Sequence, residues 1–291
     1  MDANELLKKV RKIEIKTRGL SRNIFAGEYH SAFKGRGMTF SEVREYQYGD
    51  DIRDIDWNVT ARHNHPYVKV YEEERELTVM LLVDVSGSRL FGAEGEEKRE
   101  MIAEIAATLA FSASQNNDKI GVVFFSSKVE KFIPPKKGLR HILYIIRELL
   151  DFHPAERGTD LGHALRYLTD ALKKRCTTFE ISYFIDGHDY YQPLSIASSK
   201  HDVTAIQVYD RRDTEIPSVG LMRVRDLESG EECWIDTSSK KVRQAYGKWW
   251  YTRQQQMTQT MARCRVDCAS IATDEDYVKA LMGLFRMRGV K

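Results

Sequence analysis

Residues 77–88 read LTVMLLVDVSGS. The apolar run is too continuous for a strand with one solvated face and too short for a buried helix with caps, so it predicts a strand covered on both sides. Asp84, Ser86 and Ser88 stand just past its buried part. The segment KREMIAEIAATLAFSASQNND follows, with Ile102, Ile105, Ala106, Leu109 and Ala113 at helical spacing. A buried strand followed by an amphipathic helix opens a βαβ unit. Further units continue the alternation. KIGVVFFSS and VEKFIPP form a hairpin, helices run over GLRHILYIIRELLDF and GTDLGHALRYLTDALKKR, and FEISYFIDG and DVTAIQVYD are central strands joined by a weaker helix, PLSIASSKH. The fold class is therefore α/β, a doubly wound and mostly parallel sheet with helices on both faces and an N-terminal arm packed on it.

Beyond this the period changes. LMRVRDLESGEECWIDT reads as a hairpin turning at 228–231, and a long polar helix spans Lys240 to Arg263 with Val242, Tyr246, Trp249, Trp250, Met257 and Met261 on it. Of the two tryptophans one belongs in the core and the other faces outward. RVDCASIAT gives the last strand, and a closing helix over DEDYVKALMGLFRMR is capped by Thr273 or Asp274. The expected organisation is an arm over residues 1–75 and a sheet domain over 76–291, the hairpin and long helix being an insertion at about 219–264.

Composition excludes several classes. Of the 291 residues 42% are hydrophobic and 30% charged, and 45 basic against 43 acidic residues leave a net charge of +2, without the basic excess of a nucleic-acid footprint. The four cysteines form no C-x-x-C pair and read as reduced thiols. No segment has the length of a membrane span and the N-terminus lacks a signal-peptide core, so a cytoplasmic location is expected. Walker, G-x-S-x-G and H-E-x-x-H motifs are absent.

In an open α/β sheet the residues just beyond the strand ends form the crevice in which ligands bind. Asp84, Ser86 and Ser88 follow one strand, Asp186 follows another, and Thr159 lies in the loop that opens a helix at the same edge. Two carboxylates about 5 Å apart repel by roughly 3 kcal/mol at an effective dielectric near 20, so a positive group is expected between them. The donors are all hard oxygens, a set that selects Mg²⁺, Mn²⁺ or Ca²⁺ over zinc, and few carboxylates with several hydroxyls favour Mg²⁺.

This constellation, D-x-S-x-S after a buried strand, then a G-T-D-L threonine, then a strand-end aspartate, resembles the metal-ion-dependent adhesion site of von Willebrand factor A domains. The resemblance implies that Ser86, Ser88 and Thr159 bind the ion directly, that Asp84 and Asp186 act mainly through water, and that the sixth position receives an acidic side chain of a partner. One departure is Ile185, where many members carry serine before the last aspartate.

The arm carries its own signature. FSEVREYQYGDDIRDIDWNVTARHNHPYVKVYEEERE, with Arg44, Asp50, Asp51, Arg53, Asp56, Trp57 and Arg62 among its matched positions, is similar to the family known as domain of unknown function 58, in which it precedes an A-type domain. Arginines alternating with aspartates can pair fork to carboxylate and staple the arm to the sheet, or present a docking surface. The two resemblances together imply a non-enzymatic interaction module, acting with a protein partner that offers Asp or Glu. A MoxR-type AAA+ ATPase in chaperone-like assembly is the partner the family implies. The alternative is a metal-dependent phosphoester or ester hydrolase.

Overall fold

The chain begins with helix α1 (Ala3–Leu20), whose Val10, Ile13 and Thr17 are buried. The computed structural model describes residues 3–20, 37–74, 77–87, 96–226 and 230–289. They fall into two compact units: Met1–Phe33 with Leu77–Lys291, and Lys34–Glu76. The helix α1 therefore belongs with the sheet, and the smaller unit is inserted between it and the first central strand.

In the smaller unit β1 (Gly37–Glu45) and β2 (Tyr67–Glu74) pair antiparallel, with a register shift between Phe40 and Glu42. Their connection carries a single 3₁₀ turn and a short helix, α2 (Trp57–His63). The Asp56 carboxylate caps α2 by accepting from Asn58 N at 3.0 Å and Val59 N at 3.2 Å.

In the larger unit β3 (Thr78–Asp84), β4 (Lys119–Phe125), β6 (Thr177–Ser182), β7 (Asp202–Tyr209) and β10 (Asp267–Ala272) are parallel, and β5 (Val129–Lys136) runs antiparallel to β4. The order is β10-β7-β6-β3-β4-β5. The edge strand β5 carries Pro134 and Pro135 near its end, which an edge tolerates because it need not donate on both sides.

The central strand shows why its sequence is apolar throughout. Val79, Leu81 and Val83 enter one core with α1, α3 (Glu96–Gln115), α4 (Leu139–Asp151) and α8 (Tyr277–Gly289). Met80 and Leu82 enter the other, with α5 (Leu161–Ala171), α6 (Tyr191–Lys200) and α7 (Lys240–Arg263). Successive side chains point to opposite faces, so a strand between two helical layers needs apolar residues at every position. The doubly wound expectation is met.

The hairpin of β8 (Leu221–Arg225) and β9 (Glu232–Asp236) forms its own antiparallel ribbon, closed by Asp226 N donating to Glu231 O at 2.8 Å. Part of the turn expected at 228–231 lies outside the described residues. The helix α7 buries a narrow stripe of Trp250, Met257 and Met261 and leaves Trp249 41% exposed. Trp250 sits between Tyr183 and Tyr209, ring centroids 5.7 and 5.9 Å away, which pins α7 over the ends of β6 and β7. The closing helix starts later than expected: Asp276, not Thr273 or Asp274, accepts from Val278 N at 3.0 Å.

Candidate metal centre

Three loops at the carboxyl edge of the sheet are tied to one another by backbone hydrogen bonds. After β3, Val85 N donates to Phe125 O and Gly87 N to Arg157 O, both at 2.8 Å. Before α5, Asp160 N donates to Ser126 O at 3.0 Å, and Leu161 N reaches the Asp186 carboxylate at 2.8 Å. This stitching brings together Asp84, Ser86, Thr159 and Asp186, all buried. Ser88 lies outside the described residues.

Each carboxylate is oriented at both oxygens. Asp84 Oδ1 accepts from Ser86 N at 2.9 Å and Oδ2 from Ser182 Oγ at 2.6 Å. Ser182 Oγ accepts in turn from Phe184 N at 3.1 Å. Phe184 has φ +58°, a left-handed conformation rare for a bulky side chain, at the turn that carries the chain from β6 to Asp186. The hydroxyl that supports Asp84 thus comes from the strand end, while position 185 is isoleucine. Asp186 Oδ2 accepts from Leu161 N, and Oδ1 from His188 N at 2.8 Å with His188 Nδ1 2.9 Å away. The Asp186 carboxylate raises the pKa of this imidazole. The Asp186 carboxylate thus has a histidine partner of its own, in a residue that the sequence offered two positions past the aspartate in D-G-H.

Behind the edge lies Glu180, fully buried in β6 with no hydrogen-bond partner for Oε1. Burial pushes its carboxyl up to about 8, and the charges of Asp84 and Asp186 add to the effect. Glu180 and Ser182 share a strand face, and both are polar residues in a strand expected to be apolar on both sides. That mismatch is the sequence signal that marks them. A buried ion pair ties the start of α3 to the turn after β7: Lys98 Nζ lies 3.0 Å from Asp213 Oδ2, with the ammonium 4.2 Å from the Tyr183 ring centroid. Burial lowers the Lys98 pKa, and Asp213 opposes the shift.

Among the described residues no three His, Cys, Asp or Glu side chains gather into a metal-ligating group. A cation at this edge would therefore rely on hydroxyl oxygens beside the two aspartates, a donor set fitted to a hard ion. Cys176 Sγ lies 3.2 Å from His201 Nδ1, but burial pushes the thiol up to about 11 and the imidazole down to about 4, so the pair is neutral and not a thiolate nucleophile.

In the smaller unit Arg44 grips Asp50 with both terminal nitrogens, at 2.8 and 2.7 Å, and Arg53 Nε lies 3.3 Å from Asp51. Arg62 forms no ion pair with a described residue, and Trp57 is 68% exposed. These pairs join residues close in sequence, inside the unit itself.

The family model described as "Protein of unknown function DUF58" matches residues 42–257. The uncharacterized protein Mb1516 of Mycobacterium bovis is 30% identical over 282 residues, 96% of this chain and 88% of that protein. Among solved structures, the conserved hypothetical protein BatB from Bacteroides thetaiotaomicron is similar over 74% of this chain and 100% of its own, with 14% identity and a TM-score of 0.46. Proximal thread matrix protein 1 from the mussel byssus, with a zinc occupied MIDAS motif, is similar over 46% of this chain and 38% of its own, with 17% identity and a TM-score of 0.37. No helix of the described residues is long and apolar enough to cross a membrane.

Proposed function

The chain belongs to the DUF58 family, and on that premise we propose that its carboxyl-edge site holds a divalent cation, Mg²⁺ first, whose open position takes a carboxylate of a protein partner. The observation that carries this reading is the interlocking of three loops that brings Asp84, Ser86, Thr159 and Asp186 to one buried edge. Ser86 and Thr159 would hold the ion through their hydroxyls, with Ser88 as a third hydroxyl by family resemblance. Asp84 and Asp186 have both oxygens already engaged by donors of the protein, which suits them to act through water. Bound there, the ion would supply Lewis acidity toward a partner's carboxylate. By the same resemblance the partner is a MoxR-type AAA+ ATPase and the role is chaperone-like assembly or regulation.

The test is capture of partners from a native lysate in Mg²⁺ and in EDTA, beside an Asp84→Ala, Ser86→Ala double variant. Loss of the same partners in EDTA and in the variant is expected; identical partners in all three would overturn metal bridging.

One observation favours hydrolysis as a second reading. His188 stands on Asp186 with its side chain 66% exposed, and its raised pKa makes it a general acid more readily than a base. Turnover of a generic phosphoester with Mg²⁺, abolished by His188→Ala in a folded protein, would establish it.

A further inference from the structure

A cavity of about 340 Å³ opens between the Asp186 loop and α7, with Asp186, His188, Asp189, Arg253, Gln256 and Thr260 on its wall. The volume is at the low end for small-molecule pockets, suited to side chains of an extended segment and too small for a folded element. It adjoins the proposed metal edge, since Asp186 belongs to both.

Once an ion is present, Asp189 and Arg253 remain as charged groups on this wall beside His188, and the two form no ion pair with each other. A divalent cation offsets the charges of Asp84 and Asp186 beside it. Asp189 has Oδ1 tied to Tyr191 N at 2.9 Å. Arg253, on the exposed side of α7, forms no ion pair with a described residue. On the hairpin flank of the same edge Arg157, also without an ion pair among the described residues, lies near Arg225, whose own Nε is 4.0 Å from Glu232 Oε1: a Cβ at Gly230 would stand 3.8 Å from Arg157 Nη1 and 3.9 Å from Arg225 Nη2. Arg157 O is the acceptor that holds Gly87 of the D-x-S-x-S loop. Arginine side chains lying beside a cation site disfavour a basic or neutral partner segment and favour one with more than a single acid.

We infer that the partner segment carries a second acidic side chain, which enters this cavity and pairs with Arg253 while the first coordinates the metal. The inference rests on the metal reading given above. It makes Arg253 a specificity residue supplied by the long polar helix, and it commits the occupant to an acidic peptide segment and not to a free phosphate.

The full chain is used to pan a random dodecapeptide library in Mg²⁺ with elution by EDTA, and the best peptide is then resynthesised with each acid replaced by its amide. In wild type the loss of either acid is expected to weaken binding by about 10-fold. In Arg253→Gln the loss of the second acid is expected to change nothing further, and Arg253→Lys is expected to restore part of the coupling. Arg253 is exposed, and equal melting temperatures verify that the variants fold. A metal-dependent pool with one acid, additive effects of Arg253→Gln and the peptide change, or equal competition by inorganic phosphate would overturn this inference and leave the metal reading standing. Failure to elute any pool with EDTA would overturn both.

Discussion

Ser182 Oγ donates to Asp84 Oδ2 at 2.6 Å, joining the ends of adjacent strands across 98 residues of sequence. The same oxygen accepts from Phe184 N, so one hydroxyl fixes both the first aspartate of the site and the left-handed turn that delivers the last one.

Ser182→Ala is accordingly expected to weaken Mg²⁺ binding by about 10-fold, because groups that orient the residues of a metal site typically matter at that level. The stability cost should be only about 1 kcal/mol. Titration calorimetry beside a thermal melt checks it. Unchanged affinity would show that Asp84 does not depend on this contact.

Glu180 binds its proton more tightly in the folded chain, where its pKa is raised from 4.5 to about 8. Stability contributed by this group is therefore present near pH 4.5 and is lost as pH rises toward 8. Glu180→Gln, neutral throughout, should be more stable than wild type by ~4 kcal/mol at pH 8 in EDTA and within about 1 kcal/mol of it at pH 4.5. Melts across that range test the sign. A variant less stable at pH 8 would mean that the carboxylate has a partner in solution.

Lys98→Ala leaves Asp213 buried beside no ammonium, and removing one member of a buried pair costs about 3–5 kcal/mol. A fall in Tm of roughly 10 °C is expected in a domain of this size. The Lys98→Met, Asp213→Asn double variant should recover much of it, since neither buried charge remains. A single variant that melts like wild type would remove the pair from any structural role.

Arg53→Ala is expected to leave Tm within about 2 °C of wild type, because the Arg53 side chain is 90% exposed and its contact with Asp51 is local. Trp57→Ala, at a position also exposed, should behave alike. A clear loss of stability would return these residues to a stapling role; loss of partner capture without it would make them a docking surface.

The fold was legible because the first central strands are apolar runs and several covering helices are periodic, as β3 and α4 show most plainly, whereas α3 is buried on nearly every side. The edge that carries Asp84, Ser86, Thr159 and Asp186 was legible for a related reason: strand ends in a parallel sheet all open on one side. The supporting groups were not. Ser182 meets Asp84 across 98 positions and Lys98 meets Asp213 across 115, and such pairings depend on strand order and on where a loop crosses the sheet, which a local pattern does not encode. Glu180 left a trace, as a charge in a run otherwise built for burial. Arg253 left none, for on a polar helix it looks like any other solvated arginine.

The position of α1 governs the order in which this protein can assemble on the ribosome. It is made before α3 and α4, yet it shares a core with both, with Lys9 3.0 Å from Glu100 and Lys16 paired with Glu104 on α3. The last of α4, Asp151, emerges on the order of ten seconds later at ordinary rates of synthesis, after the whole inserted unit has passed. The apolar stripe of α1 is not fully covered before then, so its packing is completed only after the inserted unit, α3 and α4 have all been made.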